Sequence, residues 1–360
     1  MGEVAGAGLL AHVPTIMLPY SERIELNEGK EISLVPGLER LRAEVFEALD
    51  YDTVVVLDSH WHTTVEFVVA AQATRAGLFT SDELPRGMSR IPYDWPGDPE
   101  LAHAIAGQAD AYGTWITAID DPCLPTHYAT VNLWHYLGRG LGKQWVSVSI
   151  AQTGDTEDFL RAGRAIGAAI AATGRTVLLL ASGAMSHTFW SLRELRAHEA
   201  SDTVHIRTAQ ARAADLERIA WLQAGEHARV IATMPEFLKV RPEARFAHYL
   251  MMVAALGEGT VTAPARAYSD YENSVGTGQI HLWFDRPSGG WSRWRRRARS
   301  SSPGCSRRWS SCHPSGRASC PTHPWRAART PTSSASRAAT PPGDHRYPTP
   351  DGRPAAAEPG

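Results

Sequence analysis

Hydrophobic positions follow two patterns along the first 287 residues. Three short runs are almost wholly apolar: Val4–Leu10, Thr53–Leu57 (TVVVL) and Thr176–Ala181 (TVLLLA). Such runs predict strands covered on both faces. A fourth, Trp145–Ile150 (WVSVSI), alternates more and also predicts a strand. Helical spacing appears between them, over Gly37–Leu49, Pro99–Ala111, Glu157–Thr173 and Thr203–Leu222. A further helix is predicted over Pro242–Leu256, with proline in its first turn. Strands that alternate with helices predict an α/β fold, a central mostly parallel or mixed sheet flanked by helices. No repeat of solenoid period is visible, so residues 1–287 are expected to form a single domain.

Composition changes the picture at Pro287. From Ser288 to the end there is no Val, Ile, Leu, Met or Phe. The stretch holds 13 Arg against 3 acidic residues, a balance of +10, which leaves the first 287 residues at −12 under the overall −2. Without aliphatic side chains it cannot bury enough surface to offset the entropy of ordering, so residues 288–360 are expected to be a disordered Arg/Ser/Pro-rich tail. Its composition also matches GC-rich DNA read out of frame, a frameshifted gene end. A nucleic-acid- or membrane-binding tail is the weaker reading, because its arginines are scattered among prolines and not set on one helical face.

The globular part has one cysteine, Cys123, which excludes an internal disulfide or a cysteine-rich zinc site. The N-terminus lacks the charged start and long apolar core of a signal peptide, and no stretch reaches the length of a membrane span. The expectation is a cytoplasmic protein with no nucleic-acid or membrane partner.

Candidate chemistry lies where the apolar runs end. Each leads into a histidine: His12 in Ala-His12-Val-Pro, His60 in Asp-Ser-His60-Trp-His62, and His187 in Ser-Gly-Ala-Met-Ser-His187. Open α/β sheets bind ligands beyond the carboxyl ends of their strands, so adjacent parallel strands would deliver these imidazoles to one crevice. Two histidines and a carboxylate on one face of a metal leave positions open for substrate and O₂. A single histidine at a strand end is more often a hydrogen-bonded structural residue. No histidine is followed two positions later by Asp or Glu, so the His-x-Asp pair of 2-oxoglutarate-dependent oxygenases is missing. There is no H-E-x-x-H and no G-x-S-x-G. Gly138-Arg-Gly140-Leu-Gly142 lacks dinucleotide and Walker spacing and reads as a loop.

The chain resembles the class III extradiol ring-cleavage dioxygenases, most of all their 3,4-dihydroxyphenylacetate 2,3-dioxygenase branch. The resemblance lies in MGEV…AHVP at 1–14, DTVVVLDSHW at 52–61, GLFTSDELP at 77–85, YDWPGDPEL at 93–101, VSVSI at 146–150, ASGAMSH at 181–187, ATMPEF at 232–237 and GTGQ at 276–279. It implies a single catalytic domain over 1–287 and an Fe(II) cofactor. The implied ligands are His12, His60 and Glu243, with His62 and Glu236 as competitors. Two histidines are implied in acid/base roles, His187 and His127. The implied reaction inserts O₂ into a substituted catechol, 3,4-dihydroxyphenylacetate or similar, to give a 2-hydroxymuconic semialdehyde in aromatic catabolism. Partners are then the small catechol and O₂, and the protein is expected to be a homo-oligomer. For a substrate carboxylate, Arg86, Arg90, Ser274 and Thr277 are candidates. A metal-dependent hydrolase and a non-catalytic binding member of the same superfamily are the rival readings.

Overall fold

A computed structural model describes residues 1–85 and 87–291; Arg86 and the expected tail from residue 292 onward lie outside the described residues. Twelve strands occur among the described residues: β1 (Glu3–Leu10), β2 (Thr53–Thr63), β3 (Phe67–Ala70), β4 (Thr74–Phe79), β5 (Ile91–Pro96), β6 (Ile116–Ile119), β7 (Gln144–Ala151), β8 (Thr176–Ser182), β9 (Ala265–Ala267), β10 (Glu272–Ser274), β11 (Thr277–Gln279) and β12 (His281–Asp285). Eight of them make the central sheet, in the order β6-β3-β7-β2-β8-β1-β12-β9. The four middle strands, β7, β2, β8 and β1, run parallel. The sheet turns antiparallel on both sides, at β3 against β7 and at β12 against β1. It is a mixed sheet flanked by helices, as expected.

The four predicted strands all form, and alternation explains the unbroken apolar character of three of them. Val55 and Leu57 of β2, with Val177 and Leu179 of β8, point into one core. Val54 and Val56, with Leu178 and Leu180, point into the other. Successive side chains face opposite sides of a strand, so a sheet covered on both faces needs an apolar residue at every position.

One face carries the helices Pro99–Gly107, Thr156–Thr173, Ala209–Gln223 and Ala247–Leu256. Thr156–Thr173 begins at a capping box, in which Asp155 accepts from the Asp158 amide and Asp158 accepts back, and it ends at Gly174 with φ 75°. It packs closely on Ala247–Leu256; a Cβ on Gly163 would lie 2.3 Å from the Met251 carbonyl oxygen. The other face carries Leu34–Leu41 and Tyr128–Leu133.

Two predicted helices start later than expected. The helix predicted from Thr203 begins at Ala209, because the Thr208 side chain caps the Ala211 amide. The helix predicted from Pro242 begins at Ala247, because Ala244, Arg245 and Phe246 all have positive φ, 45°, 58° and 62°. Packed structure also continues past Pro287. Trp291 is buried, and its indole N–H donates to the Val4 carbonyl at 2.7 Å.

Candidate metal centre

The parallel register brings the predicted strand ends together. Leu10 of β1 and Asp58 of β2 both pair with Ser182 of β8. Beyond this line the chain is steered by Asp58, which is fully buried. One carboxylate oxygen accepts the His60 and Trp61 amides, and the other accepts the Thr130 amide and hydroxyl. These bonds break the sheet pairing of β2 with β7 between Leu57 and His62. His60 thereby turns inward while His62 is exposed. Simple two-residue alternation would have aimed both the same way.

His12 is held by two bonds. Its carbonyl accepts from Asn132 at 2.8 Å, and its Nδ1 lies 2.9 Å from Ser182 Oγ. The Ser182 hydroxyl donates its proton to the Ala129 carbonyl, so His12 Nδ1 is the donor and Nε2 keeps its lone pair. His60 Nδ1 lies 3.3 Å from Glu83, which likewise leaves Nε2 as the free nitrogen.

Glu243 completes the group. One carboxylate oxygen is 3.5 Å from His12 Nε2 and 3.2 Å from His60 Nε2, and it accepts the Ser59 hydroxyl at 2.5 Å. The other accepts the Ala184 amide at 2.5 Å. The left-handed turn at 244–246 carries Glu243 inward, where its own amide donates to the Met185 carbonyl. Glu236, the competing acid, is exposed.

One donor atom from each of His12, His60 and Glu243 lies within 4.8 Å of the others. Neighbouring ligands at about 2.1 Å from an octahedral metal sit about 3 Å apart, so the spacing fits three ligands on one face. The electrostatics agree. Burial opposes charge on His60, yet Glu243 and Glu83 push its pKa up to about 10. Burial also opposes charge on Glu243, but His187, His12 and His60 hold its carboxyl well below the usual range. The cluster is built to stabilise a positive charge.

A cavity of about 220 Å³ opens on this cluster. His187 is on its wall, its ring 6.3 Å from that of His60 and 4.7 Å from that of Phe189. Burial lowers the His187 pKa, which favours the neutral imidazole. Ser274 and Thr277 also line the cavity, whereas Arg90 does not.

His127 is not among the lining residues. It precedes the helix Tyr128–Leu133 and stacks on Trp61, with ring centroids 5.7 Å apart. Its neighbour Tyr128 lines the cavity instead, with its hydroxyl 2.5 Å from His60 Nε2.

Behind the cluster lies His248, fully buried with both ring nitrogens unpartnered. Burial lowers its pKa to about 4. It fits because residue 183 is glycine; a Cβ there would lie 2.5 Å from its Nε2. Sequence reasoning missed Asp58, Ser59, Glu83, Tyr128 and His248. Asp58, Ser59 and Glu83 carried a signal, since they fall within the matched stretches DTVVVLDSHW and GLFTSDELP; Tyr128 and His248 fall within none.

Two histidines and a glutamate converge beyond the carboxyl ends of parallel strands beside a small cavity, a donor set that suits a metal-dependent oxygenase. Residues 6–284 match the family described as the catalytic LigB subunit of aromatic ring-opening dioxygenase. The chain belongs to that family and is an extradiol ring-cleaving oxygenase. It is 32% identical to a 3,4-dihydroxyphenylacetate 2,3-dioxygenase of Escherichia coli over 190 residues, 52% of this chain and 68% of that protein. It is 24% identical to a 2-aminophenol 1,6-dioxygenase beta subunit of a Pseudomonas species over 304 residues, 81% of this chain and 97% of that one. An uncharacterized protein of Escherichia coli K12 shares the fold, with a TM-score of 0.53 at 16% identity, covering 78% of this chain and 99% of that one.

Proposed function

We propose that the enzyme uses Fe(II), held by His12, His60 and Glu243, to cleave a substituted catechol of the 3,4-dihydroxyphenylacetate type to a 2-hydroxymuconic semialdehyde. The observation that carries this reading is the convergence of the three donor atoms within 4.8 Å on the cavity that His187 lines. When bound, the iron supplies a template on which catechol and O₂ are held together and through which electron density passes from ring to oxygen.

The protein supplies the remaining parts. His187, kept neutral by burial, accepts a proton from a catechol hydroxyl at a ring nitrogen, and the protonated ring returns it as the ring opens. Ser182 and Glu83 hold the ligand imidazoles in the tautomer that leaves each Nε2 free. Leu18, Phe189 and Leu195 wall the cavity and keep bulk water from the reacting atoms. Ser274 offers its hydroxyl to the ring substituent, while the Thr277 hydroxyl donates to the Ser274 carbonyl. The free, exposed Cys123 suits a reducing, cytoplasmic setting.

The test is anaerobic ferrous loading, then an oxygenated assay against 3,4-dihydroxyphenylacetate, protocatechuate, catechol and 2,3-dihydroxyphenylpropionate. A yellow ring-opened product is expected from at least one. Iron bound with no turnover of any would refute the proposal. His187→Ala should keep iron and lose ring opening, whereas His12→Ala should lose iron.

A further inference from the structure

The proposed function gives Tyr128 no part and Glu83 only the support of His60, although both reach the metal cluster. Tyr128 opens the helix Tyr128–Leu133, and all six residues of that helix are buried. Its ring packs against both ligand imidazoles, with centroids 4.2 Å from His60 and 5.4 Å from His12. A phenylalanine would make those ring contacts equally well, so packing does not account for the hydroxyl. That hydroxyl lies 2.5 Å from His60 Nε2 and 3.1 Å from Glu83, and the same Glu83 lies 3.3 Å from His60 Nδ1. Tyr128, Glu83 and His60 thus form a closed triangle on the cavity wall.

The triangle cannot stay as it is once a metal is held. The phenol has one proton and two acceptors in reach. His60 Nε2 gives its lone pair to the ion and stops being an acceptor. The proton then belongs to Glu83, and the phenol oxygen is left with acceptor capacity unused beside the coordination site. Buried acceptors left unpaired are costly, so a donor is expected there. A catechol that has lost one proton still carries one O–H.

We propose that Tyr128 is a catalytic residue whose phenol oxygen accepts the hydrogen bond of the catechol hydroxyl that keeps its proton, and that Glu83 is the positioning residue that orients the phenol. This fixes which of the two substrate oxygens stays protonated and therefore how the ring lies on the metal. The inference rests on the ring-cleavage reading above. It gives the position next to His127, not His127 itself, the contact with substrate.

The experiment uses the full-length, iron-loaded protein with Tyr128→Phe, Glu83→Gln and the double variant. Three quantities are read: iron per protein, the anaerobic Kd for 4-methylcatechol from the catecholate absorbance, and hydrogen peroxide released per catechol consumed. In Tyr128→Phe the iron content should match the parent, the Kd should rise at least tenfold, and peroxide release should increase. In Glu83→Gln both changes should have the same direction and smaller size, and the double variant should match Tyr128→Phe alone. A Kd within twofold of the parent in Tyr128→Phe overturns the inference while leaving ring cleavage intact. So does loss of iron in that variant, which would place the hydroxyl in metal binding. Additive effects in the double variant overturn the role of Glu83. An iron-loaded parent that binds and cleaves no catechol overturns the functional reading, and this inference falls with it.

Discussion

Ser59→Ala isolates the support of one proposed ligand, Glu243. The Ser59 hydroxyl donates to Glu243 at 2.5 Å, and both side chains are nearly fully buried, at 1% and 4% exposure. No water replaces the lost donor at such depth without new space. A hydrogen bond to a charged group contributes about 1.5–3 kcal/mol. At about 1.4 kcal/mol per tenfold, that is a factor of about 10 to 150 in any equilibrium that needs the carboxylate held in place. Removal of partners that orient metal ligands elsewhere weakens metal binding by about 10- to 100-fold, which is the same range. The expected result is therefore an iron affinity lower by one to two decades, with far-UV circular dichroism unchanged. Competition with a chelator of known affinity measures it. Glu243→Gln should abolish binding, and adding Ser59→Ala to it should change nothing more, because the bond already has no carboxylate to serve. Iron affinity of Ser59→Ala within threefold of the parent would refute the claim that this hydroxyl holds the ligand.

Two further results are expected. His248 titrates at about 4 in the fold against about 6.5 unfolded, so between those values the unfolded chain binds the extra proton. Stability should then fall as pH falls through that window, and His248→Leu should lose about 2 kcal/mol of this dependence in urea melts from pH 7 to 4.5; equal slopes in both proteins would exclude it. A chain ended after Trp291 should melt as the full chain does. One ended after Pro287 should be less stable by about 3 kcal/mol, since it loses the buried Trp291 and its bond to Val4, and equal urea midpoints would remove that role.

The sheet was legible because burial on both faces writes itself as unbroken apolar runs; three of the four central strands were read that way, and the fourth, Trp145–Ile150, by its alternation. The two outermost strands on one side, β6 and its neighbour β3, are four residues each, too short for a periodic signal. Histidines at strand ends marked the crevice, but strand alternation could not choose between His60 and His62. That choice depends on a break in pairing set by Asp58, whose partner Thr130 is distant in sequence. Glu243 was reached through resemblance alone, and the turn that delivers it has no local signature, since non-glycine residues occupy positive φ there. Tyr128 escaped notice because position 127 carried the more suggestive side chain.

That turn has a consequence for how the enzyme can change over generations. Ala244, Arg245 and Phe246 hold a left-handed conformation that costs side-chain-bearing residues of order 1 kcal/mol or more each. An alanine codon becomes a glycine codon by one base change, and glycine at 244 would relieve part of that strain without touching a ligand. The strain beside Glu243 is thus a reserve of stability one mutation away. A lineage that drew on it could tolerate destabilising changes in the cavity wall, where a new ring substituent would have to be fitted.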